Sequence, residues 1–411
     1  MFYKRIIAFA LSLTFILPFT VYADIGSNNV NYDNIVTEYY SDDLYEDIVE
    51  TATIPMASVP EIKAKSAILI EASTGDIIYK KDEDLKLPPA SITKIMTMLL
   101  IIEAIENKKV SFYDKVTASE HAASMGGSQI WLEVGETMTV HDLLKAVAVG
   151  SANDASVALA EHIAGSEEGF VSMMNQRAKE LGMKNTNFAN ACGLDDDNLY
   201  TTAKDVAIMS RELISHDVIK QYTTIWMDTV RNETVQLVNT NKLVRFYRGA
   251  TGLKTGTTNG AGCCLSATAK RDGMELIAVI MGAESSNERF SNAKKLLDYG
   301  FANLCLFKTS EKVDYIKSIN VNKGQKKKVK LKYDKIVNEL LKTENKSNIK
   351  VITETPKTID APVKKNQKIG TVKVKLDDKV IRKYNIYASE EIKKINFGFC
   401  FCKLLKSMTE L

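Results

Sequence analysis

A serine and a lysine three residues apart, Ser91 and Lys94, could act as a nucleophile and its base. They lie in residues 88–97, where two prolines precede an almost wholly apolar run. Proline suits the first turn of a helix, and a helix that is apolar on all sides is normally buried. Because residues at i and i+3 share a helix face, we expect the Lys94 amine beside the Ser91 hydroxyl. Burial can lower the pKa of a lysine enough for it to accept the serine proton.

A second motif follows about 60 residues later. Residues 150–154 have the sequence GSAND and lie between two helical patterns. Ser151 offers a hydroxyl that can pass a proton, and Asn153 offers an amide that can orient a peptide.

A third motif, GLKTGTT, occupies residues 252–258 and enters a strand pattern. Lys254 would add positive potential suited to a carboxylate. Gly256 allows a close approach between two backbones, and an N–H group after it can help to stabilise an oxyanion. Each of the three motifs alone is also compatible with an ordinary capped helix, loop or turn.

Hydrophobic spacing predicts the elements that must position these residues. Besides the helix after Ser91, the patterns predict strands at residues 66–72, 76–80, 262–270 and 274–283 and helices at residues 140–149, 154–164, 170–181 and 292–301. Strands at both ends with helices between them indicate one antiparallel sheet closed by the two ends, with an inserted helical lobe. The fold class is therefore α/β, of the α+β kind. A content of 45% hydrophobic and 26% charged residues is ordinary for globular domains.

Residues 311–390 are predicted to form a small all-β module, because short β-branched or alternating runs are separated by Gly, Pro and Asn. Residues 311–411 hold 25 Lys or Arg against 12 Asp or Glu, a net charge of +13, whereas the whole chain carries +3. Such a basic module could bind nucleic acid. The export signal described next instead favours anionic wall polymer or lipid headgroups, and no nucleic acid is expected.

The first 23 residues have the pattern of a secretory signal peptide. Lys4 and Arg5 precede an apolar run at residues 6–19, and cleavage is expected after Ala23. The run is short for a membrane span, although an uncleaved anchor is the alternative. Residues 24–60 contain eight Asp or Glu and no Lys or Arg, which predicts a poorly ordered acidic leader. The mature protein is therefore expected outside the cytoplasm.

Residues 391–411 are predicted to form an amphipathic helix. Its apolar stripe consists of Phe397, Phe401, Leu404, Leu405, Met408 and Leu411, and lysines lie on the other face. Such a helix can lie in the membrane interface, here on the outer face of the cytoplasmic membrane, which would make the protein a peripheral membrane protein. The alternative is a helix docked on the protein's own surface.

Cysteine and histidine usage indicates neither a disulfide framework nor a metal centre. The six cysteines show no framework spacing, and the four histidines are scattered along the chain. We therefore expect no metal and no cofactor.

The three motifs in this order, Ser-x-x-Lys, Ser-x-Asn and Lys-Thr-Gly, are the signature of the penicillin-recognising serine acyl-transferases. The sequences ASITK at 90–94, GLD at 193–195, TTAKD at 201–205, KTGTT at 254–258 and GAG at 260–262 resemble the low-molecular-mass penicillin-binding proteins. These are serine-type D-alanyl-D-alanine carboxypeptidases. The resemblance extends from residue 60 onward. It implies a penicillin-binding/β-lactamase-like transpeptidase domain at residues 61–310, followed by the small β domain and the terminal amphipathic helix.

The resemblance also implies the catalytic roles. Ser91 would be acylated by the penultimate D-alanine of a peptidoglycan stem pentapeptide, and β-lactam antibiotics would acylate the same residue. Lys94 would be the general base, and Ser151 would relay a proton to the leaving D-alanine. Asn153 would hold the substrate amide. The backbone N–H groups of Ser91 and Thr257 would form the oxyanion hole.

On the strand side of the site, the resemblance makes Lys254 and Thr255 organising residues next to Gly256. Arg289, in the sequence ERF, resembles the arginine that attracts the terminal carboxylate of the substrate. One departure is Leu199, where many relatives carry a histidine. This departure concerns a loop on the substrate side and leaves the chemistry unchanged.

The alternatives are a class A β-lactamase and, from another class of protein, a non-catalytic β-lactam sensor or wall-binding module. A class A β-lactamase needs a glutamate base between the second and third motifs, but residues 193–198 read GLDDDN and show no Glu-x-x-x-Asn. A non-catalytic β-lactam sensor would be expected to carry a transmembrane span and a signalling domain, and we find no pattern for either. A pure binding module has no need of all three motifs.

Overall fold

A computed structural model describes residues 58–409 of the chain, without the side chains of Ser407 and Thr409. The predicted signal peptide, nearly all of the predicted acidic leader, and Leu411 of the apolar stripe lie outside the described residues.

The larger domain is built on a five-stranded antiparallel sheet in the order β2-β1-β9-β8-β7. The strands are β1 (Ser66–Glu71), β2 (Ile77–Lys81), β7 (Ala250–Thr258), β8 (Gly262–Arg271) and β9 (Met274–Ala283). Pairing between β1 and β9 joins the two ends of the domain, which confirms the predicted closure.

Both faces of this sheet are covered, so β1 and β9 are buried along their whole length. Ile68 and Ile70 of β1 pack on the helical lobe. The alternate residues Ala67 and Leu69 pack on α9 (Ser286–Asn303), the helix that covers the other face. Successive side chains of a strand point to opposite faces, so a strand between two layers reads as a continuous hydrophobic run. The two hairpins predicted from the sequence lie in this sheet.

The helical lobe lies between β2 and β7. Its helices are α1 (Lys94–Glu106), α2 (Glu120–Ala123), α3 (Val140–Lys145), α4 (Asn153–Ala164), α5 (Glu167–Leu181), α6 (Ala203–Ser215), α7 (Lys220–Thr223) and α8 (Leu243–Phe246), with short strands β3 (Lys115–Thr117), β4 (Thr137–Thr139), β5 (Met227–Val230) and β6 (Val235–Val238). Helix α1 is the central helix, because ten of its 13 residues are buried. This confirms the expectation from its all-round apolar sequence.

Two helices differ from their predicted bounds. The helix predicted at residues 140–149 is α-helical only as far as Lys145. The chain then forms a π-helical turn, Ala146–Gly150. The helix predicted at 292–301 is longer, because it already begins at Ser286, where the Ser285 hydroxyl accepts the Glu288 N–H. The Ser-x-x-Glu spacing of residues 285–288 is a helix-start signal that the hydrophobic pattern alone does not show.

The C-terminal module is all-β apart from short helical turns, as predicted. Helix α9 passes directly into β10 (Leu304–Phe307), which pairs with β13 (Glu339–Lys342). After the short helix α10 (Thr309–Lys312), the other strands form a sheet in the order β14-β16-β17-β12-β11-β15. Their bounds are β11 (Ser318–Asn322), β12 (Lys328–Tyr333), β14 (Ile349–Glu354), β15 (Thr358–Asp360), β16 (Lys368–Leu376) and β17 (Lys379–Ala388).

The last helix, α11 (Phe397–Thr409), begins six residues after the start predicted at 391. The residues before it belong to the β module: Ile392 is buried in the module core and exchanges two 2.9 Å backbone hydrogen bonds with Val363. The apolar stripe of α11 is exposed, with Phe397 at 85% and Phe401 at 53%. Among the described residues, no helix has the length and apolarity needed to span a bilayer.

Candidate active site

Ser91 lies in a 3-10 turn, Ala90–Thr93, and Lys94 is the first residue of α1. The Lys94 Nζ donates to the Ser91 Oγ at 3.0 Å, so the contact expected from the i, i+3 spacing is present. Ala90, directly before the serine, has a φ of +49°, which is unusual for a residue with a side chain. Backbone strain of this kind is concentrated at functional sites.

Lys94 is completely buried and surrounded by neutral oxygen acceptors. Besides the serine, its Nζ donates to Asn153 Oδ1 and to the carbonyl of Cys192, both at 2.6 Å. Removal from water disfavours the charged ammonium, and this burial lowers the pKa of Lys94 from 10.5 to about 8. A lysine in this range can accept a proton near neutral pH.

Residues of the second and third motifs contact each other beside Ser91 and Lys94. Lys254 Nζ donates to Ser151 Oγ at 2.9 Å and to the Thr255 carbonyl at 3.1 Å. Ser151 follows the π-helical turn and has a φ of +63°. Lys254 is 1% exposed, and its pKa is lowered well below 10.5, first by burial and then by the charges of Lys94 and Arg289. The clustered cationic groups create positive potential suited to an anionic substrate.

Both polar atoms of the Asn153 side-chain amide form hydrogen bonds within the protein. Its Oδ1 accepts from Lys94, and its Nδ2 donates to the Gly126 carbonyl at 2.6 Å. Its backbone N–H donates to the Ser128 carbonyl at 2.7 Å. The residue therefore positions the lysine and the 126–128 loop. The substrate contact that the resemblance implied for Asn153 would replace or extend these hydrogen bonds.

The third motif runs along β7 past the serine. A Cβ placed on Gly256 would lie 2.9 Å from the Pro89 carbonyl and 3.0 Å from the backbone nitrogens of Ser91 and Ile92. The close approach of two backbones expected at Gly256 is therefore present. It places β7 beside the Ser91 N–H group, where a substrate carbonyl would be bound.

The side chains on either side of Gly256 form hydrogen bonds with residues outside β7. The Thr255 hydroxyl donates to the Thr240 hydroxyl at 2.7 Å. Arg289 of α9, which is 8% exposed, donates through Nη1 to the Thr257 hydroxyl at 2.7 Å and to the Gly256 carbonyl at 3.2 Å. Arg289 therefore lies at the site, as expected, and it contacts the strand directly.

Three structural features of the site were not found from the sequence. The Cys192 carbonyl accepts a hydrogen bond from Lys94, although the two residues are 98 positions apart in the sequence. Gly193 has a φ of +88°, and a Cβ there would come within 1.9 Å of the Ala90 carbonyl oxygen. The buried carboxylate of Asp154 accepts the N–H groups of Ile130 and Leu132 at 3.0 and 3.1 Å and so fixes the neighbouring loop. For Asp154 a signal existed, since an acid directly follows the Ser-x-Asn motif.

Three side chains of types that can bind a metal, which the sequence did not group, lie close together in the structure. Ligand atoms of Glu103 on α1 and of Glu212 and His216 at the end of α6 lie within 4.8 Å of one another. Glu212 and His216 have the i, i+4 spacing of one helix face, but Glu103 is more than 100 residues away in the chain. Arg177 donates to both carboxylates at 2.7 Å, so a guanidinium already balances their charge.

Fold and site together define a serine acyl-transferase that carries the Ser-x-x-Lys motif. The chain belongs to the D-alanyl-D-alanine carboxypeptidase family, whose model matches residues 53–285. The model of the penicillin-binding protein 5 C-terminal domain matches residues 303–394. The resemblance seen in the motifs is therefore confirmed, and so is the fold class.

Named relatives and solved structures agree with this family assignment. The D-alanyl-D-alanine carboxypeptidase DacF of Bacillus subtilis is 44% identical over 82% of this chain and 87% of its own length. DacC of Escherichia coli is 33% identical over 82% of this chain and 86% of its own length. The structure of penicillin-binding protein 5 from Haemophilus influenzae is 32% identical, covers 82% of this chain and 100% of that chain, and superposes with a TM-score of 0.70.

Proposed function

We propose that this protein is a serine-type D-Ala-D-Ala carboxypeptidase that removes the terminal D-alanine from peptidoglycan pentapeptide stems. The observation that carries the proposal is the 3.0 Å contact between Ser91 Oγ and the buried Lys94 amine. Membership of the family supports it, because relatives that match over more than four fifths of the chain are named D-alanyl-D-alanine carboxypeptidases.

The first half-reaction forms an ester on Ser91. Lys94 takes the hydroxyl proton as the oxygen attacks the carbonyl carbon of the penultimate D-alanine. The resulting oxyanion is stabilised by the backbone N–H groups of Ser91 and Thr257. When the tetrahedral intermediate collapses, the amide bond breaks, and Ser151 relays the proton held by Lys94 to the leaving nitrogen of D-alanine.

The second half-reaction releases the shortened peptide. Water attacks the ester carbonyl and gives a proton to Lys94. The Ser91 oxygen then leaves and takes that proton, which restores the serine hydroxyl and the neutral lysine. Lys254 and Arg289 supply positive potential for the carboxylate of the terminal D-alanine, and no metal or redox group is needed to balance either step. Asn153 holds Lys94 in position and orients the substrate amide.

β-Lactams would acylate the same serine. A solved relative, penicillin-binding protein D2 of Listeria monocytogenes, is described in an ampicillin-bound form and is 33% identical with a TM-score of 0.54. It covers 58% of this chain and 98% of that chain. A β-lactam carries an acylating carbonyl and a carboxylate, the two groups that the site around Ser91 and Lys254 is suited to bind.

The test is the Ser91→Ala variant. It removes the nucleophile without disturbing the core, so both covalent labelling by a fluorescent penicillin and D-alanine release from a pentapeptide should disappear. An unchanged melting temperature serves as the control for folding. Labelling that persists at another residue would contradict the assignment. Rapid loss of the label from the unmodified protein, with penicillin turnover and without D-alanine release, would instead show a β-lactamase.

We further propose that the protein is exported and attached to the outer face of the cytoplasmic membrane through α11. Residues 1–23 have the signal-peptide pattern. Phe397, Phe401, Leu404 and Met408 are each more than half exposed on one helix. Large apolar side chains displayed together favour the membrane interface. Removing α11 and fractionating the cells tests this attachment.

A further inference from the structure

The segment that leads into α11 is paired with the turn between β11 and β12. Gln325 donates its backbone N–H to the Lys393 carbonyl at 2.9 Å, and its side chain donates to the Lys394 carbonyl at 3.4 Å. The Ile395 N–H donates to the Lys323 carbonyl at 2.8 Å. The turn and the base of α11 therefore form one unit with a fixed register.

This unit is basic. Its lysines are all exposed, and we call them the basic collar: Lys323, Lys326, Lys327, Lys393 and Lys394. The acidic residues beside them are Glu390, which pairs with Lys326, and Glu391. The collar therefore keeps a net positive charge at the point where α11 leaves the β module.

The collar lies close to the apolar face of α11. Lys394 is three residues before Phe397, so their Cα atoms are at most about 11 Å apart. Electrostatic attraction in physiological salt is effective over roughly 8 Å, and a lysine side chain extends several ångströms beyond its Cα. When the Phe397 face lies among lipid chains, the collar ammonium groups can therefore be at the level of the headgroups.

We propose that the basic collar binds the phosphate headgroups of an anionic bilayer on which α11 lies. The proposal rests on the membrane attachment through α11 proposed above. A bilayer is favoured over an anionic wall polymer because the collar adjoins an exposed apolar face. A bilayer presents anionic phosphates and hydrocarbon side by side, whereas a phosphate polymer offers no partner for Phe397 and Phe401.

The same module supplies a matched control. Across β14, β16 and β17, Lys350 is directly opposite Lys375, and Lys373 is directly opposite Lys383. These lysines lie toward the other end of the strands. The path along the strands from Lys383 to the collar turn is roughly 25 Å long. It follows β17 from Lys383 to Ala388, crosses to Leu331, which is the partner of Ala388 on β12, and follows β12 back to the turn.

The experiment compares two triple variants of the full mature chain. The collar variant is Lys327→Gln, Lys393→Gln and Lys394→Gln. It leaves Lys323, whose φ is +55°, and Lys326, which is paired, unchanged. The control variant is Lys350→Gln, Lys375→Gln and Lys383→Gln. Both lose three charges, and both are measured for binding to zwitterionic vesicles and to vesicles containing phosphatidylglycerol.

Each lysine near an anionic surface contributes about fivefold to binding. The collar variant should therefore bind anionic vesicles about a hundredfold more weakly than wild type at low salt. The control variant should bind like wild type, and on zwitterionic vesicles all three proteins should be equal. High salt should remove most of the difference on anionic vesicles.

Equal losses in both variants, or no loss in the collar variant, would overturn the proposal. Weakened binding to soluble poly(glycerol phosphate) with unchanged vesicle binding would also overturn it and would indicate a wall polymer. If wild type bound neither kind of vesicle, the attachment through α11 would be wrong and the collar proposal with it. Binding of wild type to zwitterionic vesicles separates failure of the collar from failure of the helix.

Discussion

At the scale of single residues, the proposed role of Lys94 as the base means that its charge state decides when the site can react. Its three hydrogen-bond acceptors, on Ser91, Asn153 and Cys192, are all neutral, and its side chain is fully buried. Burial lowers its pKa to about 8, while the more distant Asp154 carboxylate acts in the opposite direction. At pH 7 roughly a tenth of the molecules would therefore hold the neutral base.

The rate of acylation should follow this ionisation. The neutral lysine is the form present above its pKa, so acylation by a fluorescent penicillin should rise about tenfold per pH unit below pH 8 and level off above it. The measurement is the second-order rate constant from pH 6 to 10. The melting temperature over the same range serves as the control for folding. A rate that is flat from pH 6 to 9, or that falls as pH rises, would show that Lys94 is not the base.

At the scale of elements, the sequence predicted those contacts that depend on local spacing. The i, i+3 relation of Ser91 and Lys94 survives although the serine lies in a 3-10 turn and the lysine begins the helix. The hairpins and the buried α1 were also predicted, because periods of 2 and 3.6 residues are local properties of the chain.

Contacts made across the fold were not predictable from one sequence. Cys192 reaches Lys94 through a backbone carbonyl, which any residue type could offer. The π-helical turn that gives Ser151 its left-handed backbone has no distinct hydrophobic period. The two hydrogen bonds of the Asn153 side chain depend on where α1 and the 126–128 loop pack. The spacing of residues within the motif carries no information about that packing.

One such cross-fold contact can be tested at Gly193. Its φ is +88°, and a Cβ would lie 1.9 Å from the Ala90 carbonyl oxygen. Gly193→Ala should therefore displace the turn that carries Ser91, which lowers penicillin acylation and destabilises the protein. The matched control is Gly182→Ala at the end of α5, where φ is +79° and nothing lies within 4 Å.

The two variants separate backbone strain from the clash. Gly182→Ala should cost about 1 kcal/mol of unfolding free energy and leave acylation unchanged. Gly193→Ala should cost roughly 1–3 kcal/mol more, because the added methyl group overpacks a tight contact. Denaturant unfolding and acylation rates give both quantities. If the two variants behaved alike, the loop of Gly193 would not position the nucleophile.

At the scale of the whole molecule, the catalytic domain and the β module are continuous. Helix α9, which carries Arg289, runs without a break into β10, and β10 pairs with β13 of the module. The charge is divided unevenly, since residues 311–411 carry +13 and the whole chain carries +3. The basic module therefore forms the part of the molecule next to the proposed membrane helix, and the acidic remainder carries the chemistry.

The boundary between module and anchor lies at Phe397, and two truncations test it. Removing residues 397–411 takes away only α11 and the end of the chain. The protein should move from the membrane fraction to the soluble fraction, with normal D-alanine release from a small soluble peptide and an unchanged melting profile. Removing residues 391–411 also deletes Ile392, which is 1% exposed in the module core. This cut should destabilise the module by about 2–5 kcal/mol, the usual cost of losing a buried isoleucine.

Activity separates the domains in this experiment, because Ser91, Lys94 and Lys254 all lie upstream of the module. Both truncated proteins should therefore label with penicillin at the wild-type rate, and the longer deletion should add an early unfolding transition that the shorter one lacks. Full-length protein that is already soluble would refute attachment through α11. A melting profile altered as strongly by the shorter cut as by the longer one would mean that α11 packs on the module and contributes to its stability.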